Sequence, residues 1–402
     1  MRAMFVTRPV VTRPLLAALL VGAATWVGAS PAGFTPRAET LEVAAAAELP
    51  IPPSSTSTSS STTTTVAPTP TSVAAAAVVP TTAAPRPTTT TATRAAATPT
   101  TAAPPAVRAP VPPAPPLLPP VTPPPARDVS VYRGLGTWID AYDFSPQYQP
   151  NGGPPAVGPD SMDDLAAVGV KTLFLQAAKD DVRSPGDLVN PEILGPMLQR
   201  AHARGIKVVA WYLPKFYDLD SDMRRFLAMR DFRFEGEGFD GIGNDIEWTK
   251  DVPNHAERSA RLVELSRRLR AVMGSEALSA IPLPPVLIET INPKYWPGFP
   301  WRELAPLYDV WMPMAYWTFR SQSSGYRDAY RYTEENVRRV RTNLGLPGAI
   351  VHPVGGTDNK SNDNDYRGFV RACVDSGSVG GSIYDWRTTP MPSFGILRGV
   401  PG

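Results

Sequence analysis

A single (β/α)8 barrel over residues 128–402 is the fold class that the sequence predicts, and three observations predict it. Composition breaks near residue 128: of 48 prolines in 402 residues, roughly half fall before it, in a stretch with no Asp or Lys. The remainder suits one barrel, which takes about 250 residues. Within it, eight strand-like runs alternate with helix-like runs, and that alternation implies parallel strands with right-handed crossovers in a sheet able to close.

Residues 1–30 place Arg2, Arg8 and Arg13 around an apolar run over 15–29, followed by Ala29-Ser30-Pro31-Ala32. This is the pattern of a signal peptide, or of a membrane anchor if it stays uncleaved, although the run is shorter than the ~20 residues of a span. Residues 31–127 are Pro, Thr, Ser and Ala with few aromatics. Such a tract cannot bury enough apolar surface to fold, so a disordered linker is expected, extended like a polyproline stalk. A chain beginning at Asp128 should then unfold at the same midpoint as the full mature chain. The expected strands follow at 134–140, 171–178, 207–213, 239–248, 277–282, 308–317, 348–356 and 380–386. Amphipathic helices are expected between them, clearest at 191–204, 255–273 and 328–344. The fifth interval, with Ile291-Asn292-Pro293 and Trp296-Pro297-Gly298, predicts a long aromatic loop instead.

Composition also excludes. One cysteine, Cys373, cannot pair within the chain, so a disulfide-built module is ruled out, and in its helical setting it reads as a small buried residue. A net charge of +2 gives no footprint for nucleic acid. Three histidines, His202, His255 and His352, leave no basis for a His-ligated metal. No metal and no cofactor are expected. His352 alone could enter the barrel mouth, but a core role is the commoner one.

In such barrels the site lies at the carboxyl ends of the strands. Those ends carry Asp140 and Asp143, Gln176, Trp211 and Tyr212, Asp245, Glu247 and Trp248, Tyr316 and Trp317, and Asp385 and Trp386. The sharpest run is Phe239-Asp240-Gly241-Ile242-Gly243-Asn244-Asp245-Ile246-Glu247-Trp248. Period-2 alternation puts Gly243, Asp245 and Glu247 on one face and Ile242 and Ile246 on the other. Two adjacent carboxylates raise the proton affinity of one, as a general acid requires; the alternative is a salt-bridged pair at the rim. Two further acidic runs read structurally. Asp218-Leu219-Asp220-Ser221-Asp222 opens like a calcium loop but lacks its Gly and closing Glu, so it reads as a helix cap. The acids and amides over 358–365 read as a loop capping a helix from Tyr366, with cation or sugar contact as the alternative.

At these residues the segment resembles glycoside hydrolase family 18, the chitinase-like barrels. Asp240, Gly241, Asp245 and Glu247 match its fourth-strand pattern, Met312-Pro313-Met314-Ala315-Tyr316 is similar to its Met-any-Tyr element, and Gly380-Gly381-Ser382-Ile383-Tyr384-Asp385-Trp386 looks like its final strand. The resemblance implies Glu247 as general acid, Asp245 orienting an N-acetyl group, Tyr316 hydrogen-bonding that group, and Trp386 beneath the sugar. Asp140, Gln176, Trp211, Trp248, Trp317 and Asp385 are the expected substrate contacts. Two departures stand out: Gly243 replaces the family's middle Asp, and Trp317 follows Tyr316 where many members have Asp. The expected protein is an exported, secreted or cell-envelope-associated glycoside hydrolase, monomeric, whose partner is a polysaccharide. The alternatives are a non-catalytic, lectin-like barrel, or a two-carboxylate hydrolase pairing Glu247 with Asp140, Glu289 or Asp385.

Overall fold

The computed structural model describes residues 120–356 and 360–402. The expected signal segment, residues 31–119 of the expected linker, and Asp358 lie outside them.

Each predicted run carries a strand. These are β1 (Gly134–Ile139), β2 (Thr172–Gln176), β3 (Lys207–Tyr212), β4 (Gly241–Ile246), β5 (Leu278–Pro282), β6 (Val310–Trp311), β7 (Met314–Ala315), β8 (Val354–Gly355) and β9 (Gly380–Ile383). The sixth run carries two, β6 and β7, because Pro313 between them has no N–H to give the ladder. All pairs are parallel, in the order β6-β5-β4-β3-β2-β1-β9-β8-β7. Since β6 and β7 end the sheet yet adjoin in the chain, the sheet curls back on itself as an α/β barrel. Its seam is held by Trp311 N on Ile350 O and His352 N on Trp311 O, both 2.9 Å, and by Val354 N on Pro313 O at 3.0 Å.

The helices are α1 (Ala141–Phe144), α2 (Ser161–Ala167), α3 (Pro191–Ala203), α4 (Leu219–Asp231), α5 (His255–Met273), α6 (Trp301–Leu304), α7 (Ala329–Leu344), α8 (Asp363–Asp375) and α9 (Phe394–Leu397). The fifth interval holds only the short α6 and one wide turn, Leu287–Ile291. Asp218 caps α4, accepting from the N–H groups of Asp220 and Ser221. Helix α8 starts earlier than the expected Tyr366, because Asn362 and Asp365 form a reciprocal capping box around its first turn.

Strand alternation sorts the core. Trp138 and Phe174 stack at 4.5 Å inside the barrel, Trp211 meets Trp138 edge-on at 5.7 Å, and Trp138 Nε1 donates to Ser382 Oγ at 2.9 Å. Glycine makes the room for these rings: a Cβ on Gly136 would lie 2.6 Å from the Phe174 ring. His352 sits in this core, fully buried, with Nδ1 2.7 Å from Tyr132 O and its ring against Phe174. Burial pushes it down to about 4, so it stays neutral. Cys373 is likewise buried.

The boundary expected at 127/128 is corrected. Residues 121, 124 and 127 are half-buried while those between are exposed, the period of three that a polyproline helix shows when one edge lies on a surface. Val121 packs on the core, and Arg127 donates to Asp309 Oδ1 at 2.8 Å while Arg270 holds Oδ2 at 2.8 Å. The end of the Pro-rich tract thus belongs to the folded unit. Because Asp309 is buried, losing Arg127 removes a charge-assisted hydrogen bond of about 1.5–3 kcal/mol. A chain beginning at Asp128 is therefore expected to melt several degrees below one beginning at Val121. Equal midpoints in calorimetry would restore the boundary at 128.

His202, on α3, lies between Glu237 Oε2 at 2.7 Å and Asp240 Oδ2 at 2.8 Å. Its pKa is raised above 6.5, first by its bond to Asp240. The cation is thus favoured on folding, and its stabilisation is complete below 6.5 and lost as pH rises through the folded value. The gap in melting midpoint between wild type and His202→Asn should shrink as pH rises from 6.5; a constant gap would refute the linkage. The same contacts place Asp240, the first residue of the fourth-strand motif, on a structural network at the strand's amino end, with Lys207 Nζ at 2.9 Å.

Candidate active site

Glu247 follows β4 directly and Asp245 lies near that strand's end, both side chains on the inward face. Glu247 is 0% exposed and Asp245 3%. Among the described residues neither Glu247 oxygen has a hydrogen-bond partner, nor does Asp245 Oδ1. A salt-bridged pair at the rim is thereby excluded. Burial raises both carboxyls far above their ordinary range, but their second influences differ in sign: the charge of Asp245 raises Glu247 further, whereas the Lys179 ammonium pulls Asp245 down. Raised together, the two carboxyls hold between them a proton that an ordinary exposed pair would have lost.

Tyr316 completes this group. Its hydroxyl is raised by burial and then by the charges of Glu247, Asp245 and Asp385, so it remains a neutral donor among three acids. Its ring lies 5.7 Å from Tyr384, and the Tyr384 hydroxyl donates to Asp140 Oδ2 at 3.0 Å. Tyr295, on the β5–β6 loop, also feels Glu247, and burial raises its hydroxyl first. The site therefore joins Asp140, Asp245, Glu247, Tyr316 and Asp385 with Tyr384, Tyr295 and Lys179, three residues the sequence reading did not single out. For Tyr384 the signal was present, since alternation puts it on the same face as Ser382 in β9.

Gly243 faces the same interior, where a side chain would crowd its neighbours. A Cβ would lie 2.9 Å from Ile281 Cδ1, 3.2 Å from Ser279 Oγ and 3.3 Å from Trp211 Cβ.

Other expected contacts fall elsewhere. Trp317 points outward, fully buried against Phe369 at 5.6 Å and Tyr366, with its indole N–H on Ser361 Oγ; it is part of the helical shell and offers no face to a sugar. Trp386 is 2% exposed, its ring tilted on Phe394, and Tyr384 lies beside Tyr316. Trp211 is buried beneath the mouth against Trp138. Gln176 accepts the N–H of Ala141, fixing the start of α1. Trp248 remains at the rim, where its N–H donates to Asp251 Oδ2 at 2.7 Å. Glu289 is tied to α7 through Arg339 and Asn343, which removes it as a partner for Glu247.

Asp140, Asp143 and Asp385 bring oxygens within 4.8 Å of one another, close enough to hold an ion. Each is already engaged: Asp140 accepts from Tyr142 N and Tyr384, Asp143 from Arg387 at 3.2 Å, and Asp385 from Thr388 N and Oγ1. The trio braces the β1 and β9 ends against each other.

No family model matches the chain, and no curated protein matches it. Among solved structures it is similar to an endo-1,4-beta-D-mannanase from Thermotoga petrophila, at 13% identity and TM-score 0.47 over 66% of this chain and 98% of that one. It is similar also to the spore cortex-lytic enzyme SleL of Bacillus cereus, at 8% and 0.49 over 66% and 74%, and to a family 1 β-glucosidase of Thermotoga maritima, at 9% and 0.46 over 63% and 88%. What the chain itself presents is an α/β barrel with two buried carboxyls, both raised by burial, at the end of its fourth strand.

Proposed function

We propose that the protein is a glycoside hydrolase in which Glu247 protonates the glycosidic oxygen and Asp245 is its orienting, charged partner. The observation that carries this reading is the buried pair itself, both carboxyls raised by burial with the Lys179 charge acting on Asp245. A buried acid without a hydrogen-bond partner destabilises a fold, and such groups concentrate where chemistry needs them. Tyr316, held neutral, would donate to the sugar or its substituent. We further propose that the substrate is a cell-envelope or environmental polysaccharide met after export, and that the barrel acts as a monomer. The resemblance to chitinase-like barrels supports a substrate-assisted route, while the closed space at Gly243 favours a non-catalytic glycan-binding barrel as the second reading. Incubating the protein with peptidoglycan, chitin, and α- and β-glucans, beside Glu247→Gln, separates them by reducing ends released. Release by wild type and not by the variant supports the hydrolase; glycan binding without product leaves the lectin-like barrel.

A further inference from the structure

The loops after β2, β3 and β4 carry a row of cations laid over aromatic rings. Lys179 Nζ lies 4.7 Å from the Tyr142 ring centroid and 5.9 Å from that of Tyr148, and Arg183 lies 4.3 Å from Tyr148. One strand further, Lys215 Nζ and Lys250 Nζ lie 5.1 and 5.3 Å from the Trp248 ring. All four rise from the quadrant of the mouth that holds Asp245 and Glu247, and Lys179 acts on Asp245 directly. Aromatic rings at a mouth for neutral sugars present their faces to C–H groups; here ammonium groups stand at them. Nearby acids meet part of this charge: Asp180 lies 3.5 Å from Lys215 and 3.0 Å from Arg225, and Asp181 is 2.7 Å from Arg183. Lys250 is exposed and has no carboxylate within ion-pairing distance among the described residues.

We infer that this rim binds an oxyanion on the substrate, so that the glycan taken by the site is an acidic one, its anionic group lodging between Lys215 and Lys250 beside Trp248. Cleavage of that glycan rests on the glycoside-hydrolase reading, whereas its binding does not. Two ammonium groups recognise carboxylate and sulfate alike, and they add selectivity more than raw affinity.

The test is affinity electrophoresis of the full chain and of a Lys215→Gln/Lys250→Gln variant through gels containing polygalacturonate, chondroitin sulfate or a neutral galactan, at low and high salt. Wild type should bind at least one acidic polymer ~10-fold or more tightly than the neutral one at low salt, and the preference should collapse both in the variant and at high salt. Which acidic polymer is retained tells carboxylate from sulfate. Equal retardation by neutral and acidic polymers, no retardation by any of them, or an undiminished preference in a variant with an unchanged melting midpoint would overturn the inference. Acidic preference without any product release would retain this inference and remove the hydrolase; release from neutral polymers without the preference would do the reverse.

Discussion

Glu247→Gln is expected to lower turnover on glycosides with poor leaving groups by about 10² or more, the usual worth of a positioned proton donor, with fold and glycan affinity preserved. The amide occupies the same fully buried space but has no proton to give. Aryl glycosides with good leaving groups should be spared, because their departure needs little protonation. The pH profile carries the second half of this expectation. Glu247 is raised by burial first and by the Asp245 charge second, so its acid form persists to higher pH than an ordinary carboxyl, and the alkaline limb of kcat/KM reports its loss. Asp245→Asn removes the neighbouring charge and should move that limb to lower pH, whereas a limb that stays in place would separate the two residues functionally. Steady-state kinetics across pH on one unactivated and one activated substrate decide both points.

Trp317→Ala is expected to cost about 3–5 kcal/mol of stability, as truncations of buried large aromatics do, without altering glycan affinity in the molecules that remain folded. The indole is fully buried between the barrel wall and α8, and it fills space that Gly355 leaves open, where a Cβ would lie 2.6 Å from its ring. Its hydrogen bond to Ser361 ties the loop before α8 to the wall. Denaturant unfolding beside glycan binding checks both halves. A small stability loss with a large affinity loss would return Trp317 to the site.

The contrast between Tyr316 and Trp317 shows how much of the site is readable from the residues alone. Both follow β7, past the reach of the strand-alternation rule, so only the packing of Trp317 on Phe369 and Tyr366 shows that it faces outward. The same rule correctly puts Asp245, Glu247 and Gly243 on one inward face. Trp386 illustrates the opposite case. It lies past the end of β9, where alternation no longer applies, and only its packing on Phe394 shows that its ring is covered.

By itself the sequence determined the barrel, since hydrophobic period and the spacing of turn residues are local properties: all eight strand runs, the main helices and the strand that carries the acid pair follow from them, whereas the break of the sixth run at Pro313 appears only in the structure. Only the tertiary structure decided what meets across the mouth. Lys179 reaches Asp245 from the loop after β2, two strands earlier in the chain, Tyr295 reaches Glu247 from the fifth interval, and Ile281 closes the space beside Gly243 from a neighbouring strand. Arg127, the last residue of a tract whose composition argued against folding, finds a buried carboxylate at Asp309. Such pairings depend on barrel closure and loop course, which bring together residues that no local periodicity relates, and they set the carboxyl protonation on which the proposed chemistry depends.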